Sequence, residues 1–376
     1  MKYTRHIALN VILMLALITN IASANWTLIT GADREYNTNP FRYVSTVESW
    51  STLVYADARI LLNTGVLGYS GQVESFDAIA DRNYYWHRLG YSQNMKTTNW
   101  GVNVSQRFGK SDFREYNYTS VTAYMSHKIP AEAFSLYFYG KTEGEWYPEL
   151  SEYDNIYGNI GLRLNKTFAT RTTVILSGFL NHTRYLTPLV SGGDAIMRGG
   201  GWHNNDLSTE FYPSITQNGM RLRIAQSVFP GTGIAIQYDV RGLTENKSWS
   251  DIGVSGAYAD RALWDDPAHY QGYSVGGEIT QLLPWSMLMK LAGCTSEKNY
   301  IHQVQHVTAD SLDYGSYRFD NSQTVWISLE KTFQSDNPVL DGLSLEINSQ
   351  WTDNTSNSYW YNYTMRYTSL GINYRF

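Results

Sequence analysis

The sequence contains a single cysteine, Cys294, and outside residues 7–21 it contains no long apolar run. One cysteine cannot form an intrachain disulfide, which excludes a small secreted domain held together by such bridges. The lack of long apolar runs excludes a protein that crosses a membrane with helices, each of which needs about 20 apolar residues. The formal net charge of −5 at pH 7 lacks the basic excess typical of a nucleic-acid-binding protein.

What the chain does contain is two-residue alternation, repeated in segments bounded by Gly, Pro, Asn, Asp or Ser. In LSLEINSQW, for example, Leu343, Leu345 and Ile347 alternate with polar residues. Residues two apart point to the same side of a strand, so one face of each segment is apolar and the other polar. No segment shows a convincing period of 3.6 residues, and the sequence therefore predicts an all-β chain.

The connectors between these segments alternate between two kinds. Short ones occupy 63–65, 96–99, 130–133, 169–172, 230–233 and 284–286. Longer connectors, aromatic or acidic, occupy 145–155, 184–206, 243–268 and 297–321. A soluble sandwich or propeller has no reason to collect its long loops at one end, and the chain shows no repeat of blade length. A transmembrane barrel does collect its long loops at one end, because it has tight periplasmic turns and long extracellular loops.

The alternating segments predict about 16 strands, within a range of about 14 to 18, and even numbers are the rule for bacterial single-chain barrels. The predicted strands are 26–36, 50–62, 65–76, 83–94, 99–109, 118–129, 134–144, 156–168, 173–183, 214–229, 233–243, 269–283, 286–296, 322–333, 342–352 and 363–376. Residues 36–48 and 207–213 are ambiguous. In a closed barrel every backbone N–H and C=O is paired without a free edge, which replaces disulfides as the source of stability. We therefore predict a single closed antiparallel transmembrane β-barrel.

The N-terminal segment has the form of a secretory signal peptide. A short basic region precedes the apolar run 7–21, and the small residues of the sequence ASA follow it. This pattern predicts cleavage before Asn25. The predicted cleavage divides the chain into two parts, a cleaved signal peptide over 1–24 and a barrel domain over 25–376.

The chain ends in SLGINYRF, a strictly alternating segment whose apolar side ends on the last residue. Its residues Gly371, Ile372, Tyr374 and Phe376 resemble the C-terminal signal by which Gram-negative outer-membrane barrels are recognised for insertion. The resemblance implies an integral protein of the bacterial outer membrane, inserted by the barrel-assembly machinery and surrounded by lipid and lipopolysaccharide. The last strand would pair with the first, and its terminal aromatics would lie in the interfacial girdle. A size similar to that of the general porins is compatible with a homotrimer.

If the apolar face of each strand contacts lipid, the opposite face lines the interior. That register predicts pore-lining residues of both signs: Arg59, Arg88, Arg107, Arg163, Arg221, Arg223, Arg241, Lys290, Asp57, Asp239, Glu278, Glu330 and Glu346. The same face carries Lys128, Lys141, Arg375, Glu74 and Glu143. Such charges can hold water and select the solutes that enter, although they also pair across neighbouring strands. The modest excess of bases predicts a mild preference for anions.

Three functions are compatible with this architecture. The first is a porin-like channel for passive diffusion of small hydrophilic solutes, which the strand number and the polar interior favour. The second is a conduit for export of a polysaccharide or a protein, because REYNTNPF (34–41) is similar to the start of barrel modules in several exopolysaccharide-export families. The third is a surface-binding barrel, adhesive or structural, whose lumen is plugged. Segments 191–206 and 263–272 are long enough to fold inward and close such a lumen.

Aromatic residues crowd the ends of the predicted loops, as at 84–86, 146–147 and 359–363. An interfacial girdle would point them outward toward lipid headgroups. A sugar-binding role would point them inward, where flat rings stack on the apolar face of a carbohydrate. The sequence favours the girdle but does not assign the direction of individual rings.

No arrangement of residues indicates catalysis, and the sequence predicts neither a catalytic residue nor a cofactor. His182 follows Asn181, and Asp265, Asp266 and His269 share one predicted loop, where a His–Asp pair could polarise water. Neither spacing matches that of an outer-membrane hydrolase. We therefore expect a protein that is not an enzyme.

A metal site is not predicted either. His302, His306 and Asp310 follow one another at intervals of four residues, which would form a metal-binding face on a helix. They fall in a predicted loop, where such spacing carries no geometric meaning. The thiol of Cys294 falls on the interior register and has no assigned role.

Overall fold

The computed structural model describes residues 26–40, 42, 44, 46–78, 80–191, 209–212, 214–247, 270–309, 311–334 and 341–376. Within these ranges no helix is long and apolar enough to cross a membrane. The described chain is almost entirely extended, with single 3-10 turns in several connections. The signal peptide over 1–24 lies outside the described residues and stays a prediction.

Sixteen strands close an antiparallel barrel in which neighbours follow chain order, and two short strands form a separate ribbon. This confirms the predicted fold. The barrel strands are β1 Trp26–Asn37, β2 Ser49–Leu61, β3 Val66–Phe76, β4 Tyr84–Asn94, β5 Thr98–Gly109, β6 Tyr118–Pro130, β7 Ser135–Trp146, β8 Asn155–Thr167, β9 Thr172–Tyr185, β12 Ser214–Phe229, β13 Thr232–Lys247, β14 Gln271–Leu283, β15 Met287–Thr308, β16 Ser311–Thr332, β17 Leu343–Ser356 and β18 Tyr363–Arg375. The separate ribbon pairs β10 Leu189–Ser191 with β11 Thr209–Phe211, so part of the ambiguous segment 207–213 is a strand.

The last strand is held in place by the first. β18 pairs with β1 in antiparallel register, with Arg375 opposite Ile29. The backbone N–H of Phe376 donates to the carbonyl oxygen of Leu28 at 2.8 Å, so the ladder continues to the final residue. The rings of Tyr374 and Phe376 meet edge to face, with their centroids 4.5 Å apart. The alternation at the C-terminus is therefore that of a strand that closes the barrel and leaves no free edge.

The connections sort by length onto the two ends of the barrel. At the end where the chain enters β1 and leaves β18, short turns join β2 to β3, β4 to β5, β6 to β7, β8 to β9, β12 to β13 and β14 to β15. The connection from β16 to β17 at this end is longer. The opposite end, the loop end, carries the longer connections, apart from that between β15 and β16, which are themselves longer strands. The alternation of short and long connectors is therefore confirmed.

A predicted loop is in fact a hairpin. Residues 297–321, expected to be irregular, belong almost entirely to β15 and β16, which pair with each other from Met287 to Thr308. The neighbouring strands end sooner, because β14 begins opposite Asn299 and β17 ends opposite Asp320. Residues 300–309 and 311–319 therefore form a two-stranded ribbon, which we call the rim hairpin, beyond the barrel wall. The prediction failed because this segment has polar residues on both faces and no apolar face to reveal its period.

The outward face of the barrel is apolar and exposed. Large residues such as Ile160 (62% exposed) and Ile236 (64% exposed) point away from the interior, and similar side chains occupy the middle of nearly every strand. Few apolar side chains are buried among the described residues. An apolar surface of this extent is not stable against water and is the surface expected of a barrel in contact with lipid hydrocarbon.

Candidate functional site

The inner face of the barrel is polar. Gln72 and Glu74 of β3 line an internal cavity, so their side chains point inward. Residues two apart on a strand lie on the same side of the sheet, and so do residues paired across neighbouring strands. Followed around the ladder, this register places all thirteen predicted pore-lining residues on the inner face: Arg59, Arg88, Arg107, Arg163, Arg221, Arg223, Arg241, Lys290, Asp57, Asp239, Glu278, Glu330 and Glu346. Their role in solute passage stays a prediction.

Three further acids of the inner face were missed from the sequence. Glu35 and Glu145 line the cavity, and Asp33 lies two residues before Glu35 on β1. Asp33 and Glu35 were missed because the run Asp33-Arg34-Glu35 puts charge on both faces of its strand, which hides the alternation. Glu145 was missed because it lies at the border of a predicted loop. Arg42 and Arg82 also line the cavity and were missed as well, so the modest cationic excess of the inner face is little changed.

Several of the inner bases are neutralised by neighbouring carboxylates. The Arg221 Nε donates to Asp239, and the Arg223 Nη2 donates to Glu278 Oε1 at 2.9 Å. The Lys141 Nζ lies 2.7 Å from Glu143 Oε2. These pairs connect neighbouring parts of the inner wall. Part of the lining charge therefore keeps the wall hydrated and holds its side chains in place.

Other inner bases have no such partner. Among the ion pairs of the described residues, none involves Arg88, Arg163 or Lys290. The Arg163 guanidinium lies 5.9 Å from the centre of the Tyr139 ring, and the side chains of Arg88 and Arg163 are exposed inside the barrel. A charged group that is neither paired nor buried must be hydrated, so water reaches these positions.

A cavity of about 1090 Å³ lies inside the loop end of the barrel. Its lining includes the acids Glu35, Glu74, Glu143 and Glu145 and the bases Arg42, Arg82, Arg107, Lys141 and Arg241. Acids and bases therefore face one another across a space large enough for a small organic solute.

One connection folds against the cavity. The segment 147–154 between β7 and β8 is held by Asp154, whose Oδ1 accepts the Tyr147 backbone N–H at 2.7 Å. Tyr147 and Tyr153 pack with Tyr185 and Ile215 in the buried cluster of this rim. Of the segments predicted to fold inward, 191–206 and 263–272, all but Ser191 and residues 270–272 lie outside the described residues.

The aromatic cluster at the start of β4 divides between the two faces. Tyr84 and Trp86 line the cavity, whereas Tyr85 takes the outward position between them. The Tyr84 hydroxyl donates to Glu74 Oε2 at 2.6 Å and its ring packs under the Arg107 guanidinium, 4.5 Å from the ring centre. Tyr147 also lines the cavity, whereas Trp146 points outward and is 41% exposed. The outward rings, Tyr85 and Trp146, therefore fit the girdle interpretation, whereas the rings at the cavity do not.

Of the residues considered for catalysis, Asn181 and His182 lie on opposite faces of β9. Asn181 lines the cavity, but the next residue, His182, points outward, where its Nδ1 lies 2.9 Å from the Thr216 hydroxyl. Asp265, Asp266 and His269 lie outside the described residues.

Two of the residues considered as metal ligands, His302 and His306, are on a strand rather than a helix. His306 lies in β15, where its backbone N–H donates to the Ser358 hydroxyl at 3.1 Å and burial lowers the pKa of its ring. Asp310 and the side chain of His302 are not among the described parts. Over the residues that the structure describes, no three His, Cys, Asp or Glu side chains are grouped to hold a metal ion. Cys294 is a free, exposed thiol on the inner face of β15.

The base of the rim hairpin is fixed by a buried arginine. Arg318 is 7% exposed and its guanidinium lies between the rings of Tyr300 and Tyr361, 3.9 Å and 3.3 Å from their centres. Its Nε donates to Asp320 Oδ1 at 3.0 Å, its Nη2 donates to Asp320 Oδ2, and its Nη1 donates to Gln303 Oε1 at 2.9 Å. Because Tyr361 belongs to the β17–β18 connection, this cluster ties the hairpin to the next loop.

No protein-family model matches the sequence, and no curated protein matches it either. Among solved structures, Acinetobacter baumannii OccAB1 aligns with a TM-score of 0.54 at 9% identity, over 94% of this chain and 96% of that chain. OccAB3 of the same organism aligns with a TM-score of 0.52 at 8% identity, over 95% and 100% of the two chains. A bacterial polysaccharide outer membrane secretin aligns with a TM-score of 0.51 at 8% identity, over 93% and 98%. At these identities the similarity shows the fold alone.

Proposed function

We propose that this protein lies in the bacterial outer membrane and forms a water-filled channel for passive diffusion of small hydrophilic solutes. The observation that supports a channel best is the hydrated charge inside the barrel, where the side chains of Arg88 and Arg163 form no ion pair with any described residue and are exposed. A dry, plugged lumen would bury such groups, at a cost of several kcal/mol for each unpaired ion. The exposed apolar band on the outer face supports the membrane location.

The mature chain, residues 25–376, should conduct ions in large, stable steps when it is refolded and inserted into a planar bilayer. The native Cys294 offers an internal probe, because its thiol is free and faces the lumen near the middle of β15. A bulky, charged methanethiosulfonate reagent should react with this thiol and lower the single-channel current. The Cys294→Ser variant should conduct normally and be insensitive to the reagent.

Two results would contradict the channel. Silence from a correctly folded barrel, shown by its heat-modifiable mobility, would mean that the lumen is closed. Unchanged current from wild-type protein whose labelling is verified by mass would mean that ions do not pass Cys294.

We propose that the channel has a weak preference for anions, set by the inner bases that lack a carboxylate partner. Replacing Arg163 by glutamine should shift the reversal potential in a salt gradient toward cation preference. Lys166 of the same strand lies on the outer face near the short-turn end, so Lys166→Gln should leave the reversal potential unchanged. A channel that already prefers cations, or equal shifts in the two variants, would contradict this selectivity.

A second function, export of a polysaccharide or another polymer, is favoured by the aromatic rings that face the cavity and by the fold that the chain shares with a polysaccharide secretin. Deleting the gene in its host separates the two functions. Loss of a surface or secreted polymer with unchanged solute uptake would favour export, and the reverse outcome would favour the diffusion channel.

A further inference from the structure

Three bulky apolar side chains interrupt the polar inner wall near the loop end. Leu53 of β2, Phe76 of β3 and Trp86 of β4 line the cavity on three consecutive strands, and each is partly exposed. We call these residues the apolar strip. Exposing such side chains to a water-filled lumen brings no stability, since apolar surface is stabilising only when it leaves water. A strip of this kind is therefore suited to contact an apolar surface of a solute.

Trp86 is the most available of the three. Its indole makes no hydrogen bond and no ring contact among the described residues, and its ring lies beside the internal cavity. The nearby Tyr84 differs, because its hydroxyl is bound to Glu74 and its ring is covered by Arg107. Trp86 therefore has both a ring and an N–H donor available for a ligand.

Polar side chains lie within and beside the apolar strip. Gln72 on β3 and Arg107 on β5 are the residues directly paired with Trp86 and supply an amide and a guanidinium beside its indole ring. Glu74, paired with Leu53, is buried and accepts from the Tyr84 hydroxyl. Further along the wall, the Tyr367 hydroxyl donates to Glu35 Oε1 at 3.0 Å. The site thus combines one flat apolar surface with donors and acceptors of both charges at its edges.

From this juxtaposition we propose that the cavity binds a neutral pyranose oligosaccharide, with one sugar ring stacked on Trp86. A pyranose has an apolar C–H face that packs on an aromatic ring and a rim of hydroxyls that donate and accept hydrogen bonds. Gln72 and Arg107, the residues paired with Trp86, are placed to meet those hydroxyls. The near balance of acids and bases around the cavity disfavours a strongly charged ligand. The inference rests on the proposed function, since it names the class of solute that enters the channel.

Maltohexaose is the probe, added to bilayers that contain the mature channel and titrated calorimetrically into the detergent-solubilised protein. We expect reversible, saturable blocks of the ion current. A polyethylene glycol of equal hydrodynamic radius, which lacks a rigid C–H face, should not saturate. Trp86→Ala should raise the half-blocking concentration of maltohexaose about tenfold, at the upper end of what an aromatic stacking contact contributes. Trp86→Phe should give an intermediate value.

Tyr85→Ala is the matched control, because Tyr85 is the adjacent aromatic residue on the same strand and points outward. It should leave both the conductance and the block unchanged. Heat-modifiable mobility of each variant shows that the barrel has folded.

The outcomes separate the binding site from the channel. A conducting protein that maltohexaose neither blocks nor binds, or one that binds it equally well after Trp86→Ala, overturns the site and leaves the channel intact. Saturable block by benzoate without block by maltohexaose would identify an aromatic acid as the ligand and also overturns the sugar proposal. If the protein does not conduct, the channel fails, and calorimetry still decides, because Trp86-dependent binding of maltohexaose upholds the site and its absence overturns it.

Discussion

Replacing Asp320 by asparagine should detach the rim hairpin from the barrel and expose it to protease. Asp320 is 2% exposed and is the counter-charge of Arg318, which is held between two tyrosine rings. The substitution keeps the size of the side chain but leaves a buried guanidinium without a carboxylate. Removing one partner of a buried ion pair typically costs about 3–5 kcal/mol. This is the largest single effect that we expect from a conservative change in the protein.

Chymotrypsin cleavage of the folded protein measures this effect. Tyr314 and Tyr317 are exposed residues of the hairpin, but a protease needs local opening of paired strands to cut there. Since about 1.4 kcal/mol corresponds to a tenfold change in an equilibrium, we expect cleavage in the hairpin to be about a hundredfold faster in Asp320→Asn. Cleavage elsewhere should not change, because the barrel ladder below Asp320 is intact.

Asp77→Asn is the matched control for the ion pair. Asp77 pairs with Arg34 at the same end of the barrel, but the side chains are 55% and 41% exposed. The hydrogen bond from Arg34 lowers the pKa of Asp77, but solvent screens this exposed pair, so it contributes little to stability. Cleavage of the hairpin should not respond to Asp77→Asn. Equal cleavage rates in wild type and Asp320→Asn would show that the aromatic contacts alone hold the hairpin.

The second large effect is expected at Gly219, where a methyl group should destabilise the barrel. Phe179 of β9 lies directly opposite Gly219 of β12, and its ring covers the space where a side chain would be. A Cβ at position 219 would lie 2.6 Å and 2.9 Å from Cε1 and Cε2 of that ring. The ring would have to move into the lumen. We expect Gly219→Ala to lower the free energy of unfolding by about 2 kcal/mol, as overpacking does elsewhere, and to reduce conductance.

A double-mutant cycle tests the cause, with the free energy of unfolding measured by urea titration in detergent micelles. All three close atoms around Gly219 belong to Phe179, so Phe179→Ala combined with Gly219→Ala should cost less than the sum of the single changes. Gly178→Ala is the control, since a Cβ there would meet its nearest atom, the Gly219 carbonyl oxygen, at 3.9 Å. Additive costs would mean that the ring over Gly219 is not the source of the destabilisation.

Rings over glycines recur on the inner wall. Tyr55, Tyr124 and Tyr139 each lie opposite an inward glycine of the next strand and occupy the space above it: Gly31, Gly101 and Gly161 respectively. In this arrangement the rings occupy the space that the side chains opposite them would otherwise fill. The sequence shows many tyrosines and glycines, but only the register shows that they pair.

Most of the barrel could be derived from the sequence because lipid imposes a pattern on every strand that crosses it. A lipid-facing position must be apolar, so β8, with Ile160 and Leu162 on one face and Arg163 on the other, could be placed within a residue at each end. The same constraint allowed the residues of the inner face, including Arg88 and Glu346, to be predicted as those opposite the apolar face. It also explains the terminal Phe376, since the last strand must pair with the first.

What the sequence did not reveal lies where lipid imposes nothing. The rim hairpin has polar and aromatic residues on both faces, so it was taken for a loop, and Arg318 and Asp320 carried no signal of their pairing. The folding of segment 147–154 against the cavity depends on contacts between distant strands, whereas the inward direction of Trp86 follows from its two-residue spacing to Arg88. Strand number, lipid face and closure were therefore determined by the sequence alone. The ion pairs, the glycine-ring pairs and the apolar strip were decided by the tertiary structure, because they depend on which residues the closed ladder sets side by side.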